Sequence, residues 1–132
     1  MPKAIRQSVT IRATPQVVYE ALMDSRKHAR FTGGGASISR TVGGKFSVFD
    51  GYAEGVNLEL VSGKKIVQTW RASDWPKNHY SKATFALTKV KGGTRLTFTQ
   101  TGVPDDQHTA VKNGWVEFYW TPLKQMLEKS SR

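Results

Sequence analysis

The 132-residue chain has no cysteine, which removes disulfides, thiolate metal ligands and a cysteine nucleophile together. Its three histidines, His28, His79 and His108, are far apart and show no His-x-x-x-His spacing, so neither a metal site nor a cofactor is expected. No apolar run approaches the roughly 18 residues of a membrane span, and the opening Met1-Pro2-Lys3-Ala4 lacks the apolar core of a signal peptide. The expectation is a cytoplasmic protein without membrane insertion. Acidic residues are also scarce, 10 Asp and Glu against 20 Lys and Arg, for a formal charge of +10. That excess makes acidic partners worth weighing. The bases are nevertheless scattered from Lys3 to Arg132, with only doublets such as Arg26-Lys27 and Lys64-Lys65. With no basic tail and no ribonucleoprotein or helix-turn-helix patterning, nucleic acid is not the expected partner.

What is present is apolar mass. Hydrophobic residues make up 38% of the chain and aromatics 11%, four of them Trp, enough to fill a core and to exclude disorder. The length suits one domain spanning 1–132.

Ile5 to Ala13 alternates with β-branched residues and reads as a strand. Thr14-Pro15 supplies an N-cap and a first helical residue, and Val18, Ala21 and Leu22 keep helical spacing to about Asp24. A second short helix is expected over Ser25 to Phe31, ended by Gly33-Gly34-Gly35, with a strand over Ala36 to Arg40. Period-two segments then recur between turns, which predicts consecutive hairpins. They are Lys45–Asp50, Tyr52–Val61 with a bulge at Gly55, Lys64–Ala72, Ser81–Val90 and Thr94–Thr101. After Pro104, Asp105 or Asp106 is expected to cap a helix from Gln107 to about Lys129, its apolar face formed by Val111, Trp115, Phe118 or Tyr119, Leu123 and Leu127. Gly114 is expected to permit close approach to the sheet, and Pro122 to kink or restart the helix. The order predicts an α+β fold, a curved antiparallel sheet of about six to seven strands wrapped around a long C-terminal helix, with two short helices after the first strand.

The motifs Gly43-Gly44-Lys45-Phe46, Asp50-Gly51, Ile66-Val67-Gln68-Thr69-Trp70-Arg71, Trp75-Pro76 with His79, Thr101-Gly102-Val103-Pro104 and Gly114-Trp115 cover most of the chain. In that order they resemble the activator of heat shock protein 90 ATPase homologue family, and within it the C-terminal domain of the eukaryotic co-chaperone. The resemblance implies the START-like, birch-pollen-allergen-like helix-grip fold, in agreement with the element order. It also implies a heat shock protein 90 chaperone as partner, bound so that its closed, ATPase-active dimer is favoured. The co-chaperone's separate N-terminal domain has no counterpart in these 132 residues, so the chain is expected to be either one domain of a longer protein or a stand-alone relative. The superfamily also holds binders of small apolar molecules and polyketide cyclases or aromatases, which keeps a ligand in the space between sheet and helix as the alternative.

Phe46, Phe85, Phe98, Trp115 and Tyr119 are candidates to line that space, with Trp70 beside them and Gln68 and Gln100 as the polar groups that would orient an apolar ligand. Lys45, Arg71, Trp75 and His79 are candidates for a cavity mouth or partner surface, since Trp and Arg concentrate at binding hot spots. The competing reading has Trp70 capping the core and Arg71 paired with Glu54 or Glu59 across the sheet. No Ser/His/Asp or paired-carboxylate arrangement stands out, and His79 and His108 are the only candidate proton shuttles. Thr32-Gly33-Gly34-Gly35 precedes a strand and lacks the phosphate-loop spacing. No catalytic residues are therefore assigned, and the expectation is a non-enzymatic binding domain.

Overall fold

The computed structural model describes residues 4–130, with side chains to residue 128. The signal-peptide reading of Met1 to Lys3, and Arg132 at the end of the basic series, lie outside the described residues. Strand β1 (Ile5–Ile11) leads into α1 (Pro15–Met23), where Thr14 accepts the Val17 N–H on its side chain and Pro15 opens the helix. Asp24 then serves two helices. Its backbone N–H closes α1 onto the Glu20 carbonyl, and its carboxylate accepts the Lys27 N–H to start α2 (Ser25–Thr32). That hydrogen bond holds the Asp24 carboxyl below its usual range. Gly33, at φ 79°, ends α2 in the left-handed conformation that costs glycine nothing.

Six further strands follow: β2 (Ser37–Ile38), β3 (Lys45–Val48), β4 (Ala53–Val61), β5 (Lys65–Ala72), β6 (Ser81–Val90) and β7 (Gly93–Thr101). They pair antiparallel throughout in the order β1-β7-β6-β5-β4-β3-β2. Alternate residues of each strand face inward, so Phe46, Val48, Ile66, Trp70, Phe85, Leu96 and Phe98 form one buried surface. Val18 and Leu22 of α1 and Trp115, Tyr119, Leu123 and Leu127 of the C-terminal helix pack onto it. The helix-grip architecture expected from the element order is the one observed.

Several local expectations are corrected. The strand expected over Ala36 to Arg40 is only two residues long. Gly55 is not a bulge. The register slips between Asn57 and Glu59, while a Cβ on Gly55 would stand 1.8 Å from the Thr69 carbonyl oxygen, so glycine is there to let β4 and β5 approach. Neither Asp105 nor Asp106 caps the last helix; both lie in a 3₁₀ turn (Asp105–Gln107) that gives no side-chain cap to α3 (His108–Trp115).

The long helix is also interrupted. Between α3 and α4 (Thr121–Ser130) lies a π-turn over Val116–Trp120, in which the Thr121 N–H reaches back five residues to Val116. Pro122, which has no N–H to give, follows directly. The extra residue in the turn brings Trp115, Tyr119 and Trp120 all to the buried side and leaves Phe118 half exposed, which settles the stripe in favour of Tyr119. Gly114 does not meet the sheet: a Cβ there would touch only the Phe118 ring, at 3.8 Å.

Candidate functional site

The C-terminal helix is held to the sheet by a relay of buried polar groups. Trp115 Nε1 donates to Gln100 Oε1 at 2.7 Å, the Gln100 amide donates to Ser81 Oγ at 2.8 Å, and Ser81 donates to the Trp70 carbonyl at 2.7 Å. Gln68 is likewise engaged, donating to Asn57 Oδ1 at 3.2 Å, with Asn57 itself spanning the Ser39 and Thr41 carbonyls. The two glutamines expected to orient a ligand are thus parts of the internal hydrogen bonding.

Phe46, Gln68, Trp70, Phe85, Trp115 and Tyr119 do converge on one interior space, which Phe98 and Gln100 do not line. It measures about 10 Å³, close to the room needed by one water. Side chains fill the cavity expected between sheet and helix. Phe98 packs 4.3 Å from Trp115 between ring centres, and Trp115 in turn 4.5 Å from Tyr119.

A residue not singled out from the sequence borders that space. His28 of α2 is buried and lies between the Leu22 carbonyl, 3.0 Å from Nδ1, and the Tyr119 hydroxyl, 2.9 Å from Nε2. The carbonyl requires a proton on Nδ1, so Nε2 accepts from Tyr119. Burial outweighs the carbonyl's help and depresses the His28 pKa to about 4, while it raises that of Tyr119. At neutral pH both are uncharged, a structural pair rather than an acid and a base. The signal available in the sequence was the i, i+3 pairing of His28 with Phe31, whose rings stand 5.0 Å apart.

Arg71, Trp75 and His79 meet at one end of the sheet. Arg71 does not pair with Glu54 or Glu59; its Nε donates to the Pro76 carbonyl and its Nη2 to the Trp75 carbonyl, at 3.0 and 2.6 Å, fastening the loop after β5. Glu59 instead bridges Lys65, and Glu54 accepts from Tyr80. Trp75 is only 3% exposed and packs edge-on against Trp70, so it belongs to the core rather than to an open partner surface, with its indole N–H unpartnered among the described residues. His79 donates from Nε2 to the Gly102 carbonyl at 2.8 Å and contacts the Trp75 ring, so this candidate proton shuttle ties two loops together. Lys45 is exposed on β3.

At this end lies a shallow groove of about 120 Å³ between the β3–β4 turn and α3. Phe49, Tyr52, Trp70, Val111, Phe118 and Tyr119 form its apolar walls, and Gly114, without a side chain, its floor. The turn is held in an unusual form. Phe49, Asp50 and Gly51 are consecutively left-handed, at φ 53°, 56° and 93°. Asp50 anchors them, accepting the Gly35 N–H on its carboxylate and donating its own N–H to the Gly35 carbonyl. Backbone conformations of this kind in non-glycine residues persist where the surrounding structure imposes them, and they cluster at functional sites. Phe49, Tyr52 and Phe118 were not predicted as site residues. The Asp50-Gly51 turn signal was legible, but not that its flanking aromatics would face α3.

The chain is thus a helix-grip domain with a filled interior and an aromatic groove beside α3. Residues 12–128 match the family model described as activator of Hsp90 ATPase homolog 1-like protein, and the chain belongs to that family. It is 30% identical over 131 residues to the activator of 90 kDa heat shock protein ATPase homolog of Dictyostelium discoideum, covering 98% of this chain and 34% of that protein. The human homolog 1 is 28% identical over 123 residues, with 93% and 36% covered. The chain therefore spans about a third of the length of these curated relatives. Among solved structures, an HSP90 activator of Plasmodium falciparum superposes with a TM-score of 0.87 at 28% identity, covering 94% of this chain and 95% of that one. No helix among the described residues is long and apolar enough to cross a membrane.

Proposed function

We propose that this chain is a non-enzymatic co-chaperone domain, one folded unit over 1–132, that binds a heat shock protein 90 chaperone in the cytosol and raises its ATP turnover. The observation that carries this reading is the family match over residues 12–128, together with an interior that leaves no room for a substrate. The physics is a shift of population. A partner that binds the closed chaperone dimer more tightly than the open one raises the closed fraction by the ratio of the two affinities, and with it the ATPase rate, while contributing no catalytic group. The overall charge of +10 would speed encounter with an acidic chaperone surface and make the on-rate fall with salt. The alternative, a START-like domain that binds a small apolar ligand or, less so, a cyclase-like enzyme, draws less support from an interior space of about 10 Å³.

The test is a titration of the purified chain into the chaperone at fixed ATP, reading ATP turnover and binding together. A saturable rise in turnover that a non-binding surface variant lacks is expected. No binding at high micromolar concentration would remove the proposal.

A further inference from the structure

The groove is small and its electrostatics run against those of the whole molecule. Asp50, Glu54, Asp105, Asp106 and Glu117 lie within two residues of its lining, and Asp74 accepts a hydrogen bond from the Tyr52 hydroxyl at its wall. All six are exposed, and none forms an ion pair among the described residues. By the same measure only Arg71 and Lys112 bring positive charge, and the Arg71 guanidinium is occupied by two carbonyls. Six of the protein's ten carboxylates and two of its twenty cations thus belong to the segments that line or flank this groove, the Glu54 carboxylate among them being engaged by the Tyr80 hydroxyl. That is a local excess of four negative charges on a chain of net +10. Backbone positions two residues apart stand within about 7 Å, comparable to the Debye length of roughly 8 Å at physiological salt, so charges on these segments act at the groove over a range that salt does not fully screen.

Size narrows the occupant further. A volume of about 120 Å³ is below the roughly 300–1,000 Å³ of small-molecule sites, and is comparable to the ~150 Å³ cavity that holds one benzene ring. The walls offer aromatic faces, with Gln107 as the polar side chain of the lining that the apolar residues leave. We infer that the groove receives a single aromatic side chain of a partner protein, presented on a segment whose flanking residues are Lys or Arg. The ring fills the pocket as a hot-spot anchor, and the flanking cations meet the carboxylates of the rim. This rests on the binding-domain reading above only in taking the occupant to be part of a protein.

The probe is the acetylated, amidated peptide Lys-Lys-Phe-Lys-Lys, titrated into the isotopically labelled chain at 50 mM salt and followed by amide chemical shifts. Lys-Lys-Ala-Lys-Lys, Glu-Glu-Phe-Glu-Glu and benzyl alcohol are titrated in parallel. The expected result is shifts centred on Tyr52, Gly114 and Phe118, with each of the three controls binding at least tenfold more weakly. Gly114→Leu, which fills the floor, and Phe118→Ser, which removes a half-exposed wall, should each weaken the peptide at least tenfold. Should Gly114→Leu fail to fold, the exposed position of Phe118 keeps the second variant informative. Equal binding of the alanine peptide reduces the site to its charge, equal binding of the acidic peptide or of benzyl alcohol removes the charge requirement, and shifts elsewhere or none remove the groove; each overturns the inference. The chaperone titration runs separately. Peptide binding without chaperone stimulation sinks the co-chaperone reading alone, and stimulation without peptide binding sinks the groove alone.

Discussion

Trp115 Nε1 lies 2.7 Å from Gln100 Oε1, and this one hydrogen bond joins the C-terminal helix to the penultimate residue of the last strand. Both side chains are buried, and Gln100 passes the connection on to Ser81 and the Trp70 carbonyl. Gln100→Leu keeps the volume but orphans the Trp115 indole N–H. It should cost about 1–3 kcal/mol, seen as a lower urea midpoint at unchanged slope. An unshifted midpoint would mean that the relay contributes nothing net.

His28 predicts a pH dependence with a definite sign. Its folded pKa is depressed to about 4 by burial, against an ordinary value of 6.5. Between those values the unfolded chain binds the proton and the folded one does not, so stability rises with pH through that window and is flat above it. The amount lost between about pH 6.5 and pH 4 is on the order of 3 kcal/mol. Urea unfolding of the wild type and of His28→Gln across this range measures it, and the variant should lose the histidine's share of the slope.

Two glycines should respond oppositely to alanine. At Gly114 a Cβ finds only the Phe118 ring at ordinary contact distance, in a helix where glycine is the poorer residue, so Gly114→Ala should stabilise by about 0.5–1 kcal/mol. At Gly55 the new carbon would meet backbone, the Thr69 carbonyl, which cannot yield without separating β4 from β5. Gly55→Ala should destabilise by about 3 kcal/mol or more, or abolish folding. Thermal melts of the two variants decide both signs.

Arg71→Met retains much of the stem but releases the Trp75 and Pro76 carbonyls. Hydrogen exchange should then quicken in the loop over residues 73–79, with the sheet amides unchanged. Uniform acceleration across the domain would instead mark Arg71 as a determinant of global stability.

Much of the fold was legible along the chain because its signals are local. Thr14-Pro15, the double-capping Asp24 and Gly33 mark helix ends through interactions no more than four residues away. The inward series Phe85, Leu87, Leu96 and Phe98 follows from alternation alone. The failures share a cause. Gly55 looks like a bulge along the chain because its true constraint lies on another strand, fourteen residues on, and Gly114 looks like a sheet contact because nothing local shows that only the Phe118 ring stands near it. Arg71 was offered carboxylates across the sheet and took backbone carbonyls in its own loop, where a guanidinium's fixed fork fits two acceptors at once.

By itself the sequence determined the order of strands and helices, the turns between them and the family to which they belong, since these rest on short-range periodicity and on motifs that can be read in line. Only the tertiary structure decided that the space between sheet and helix is filled, that His28 meets Tyr119 across 91 positions, and that the β3–β4 turn and α3 form one aromatic groove with Asp74 held at its Tyr52 wall. These outcomes depend on packing volume and on through-space contact, and neither is a property of neighbours along the chain.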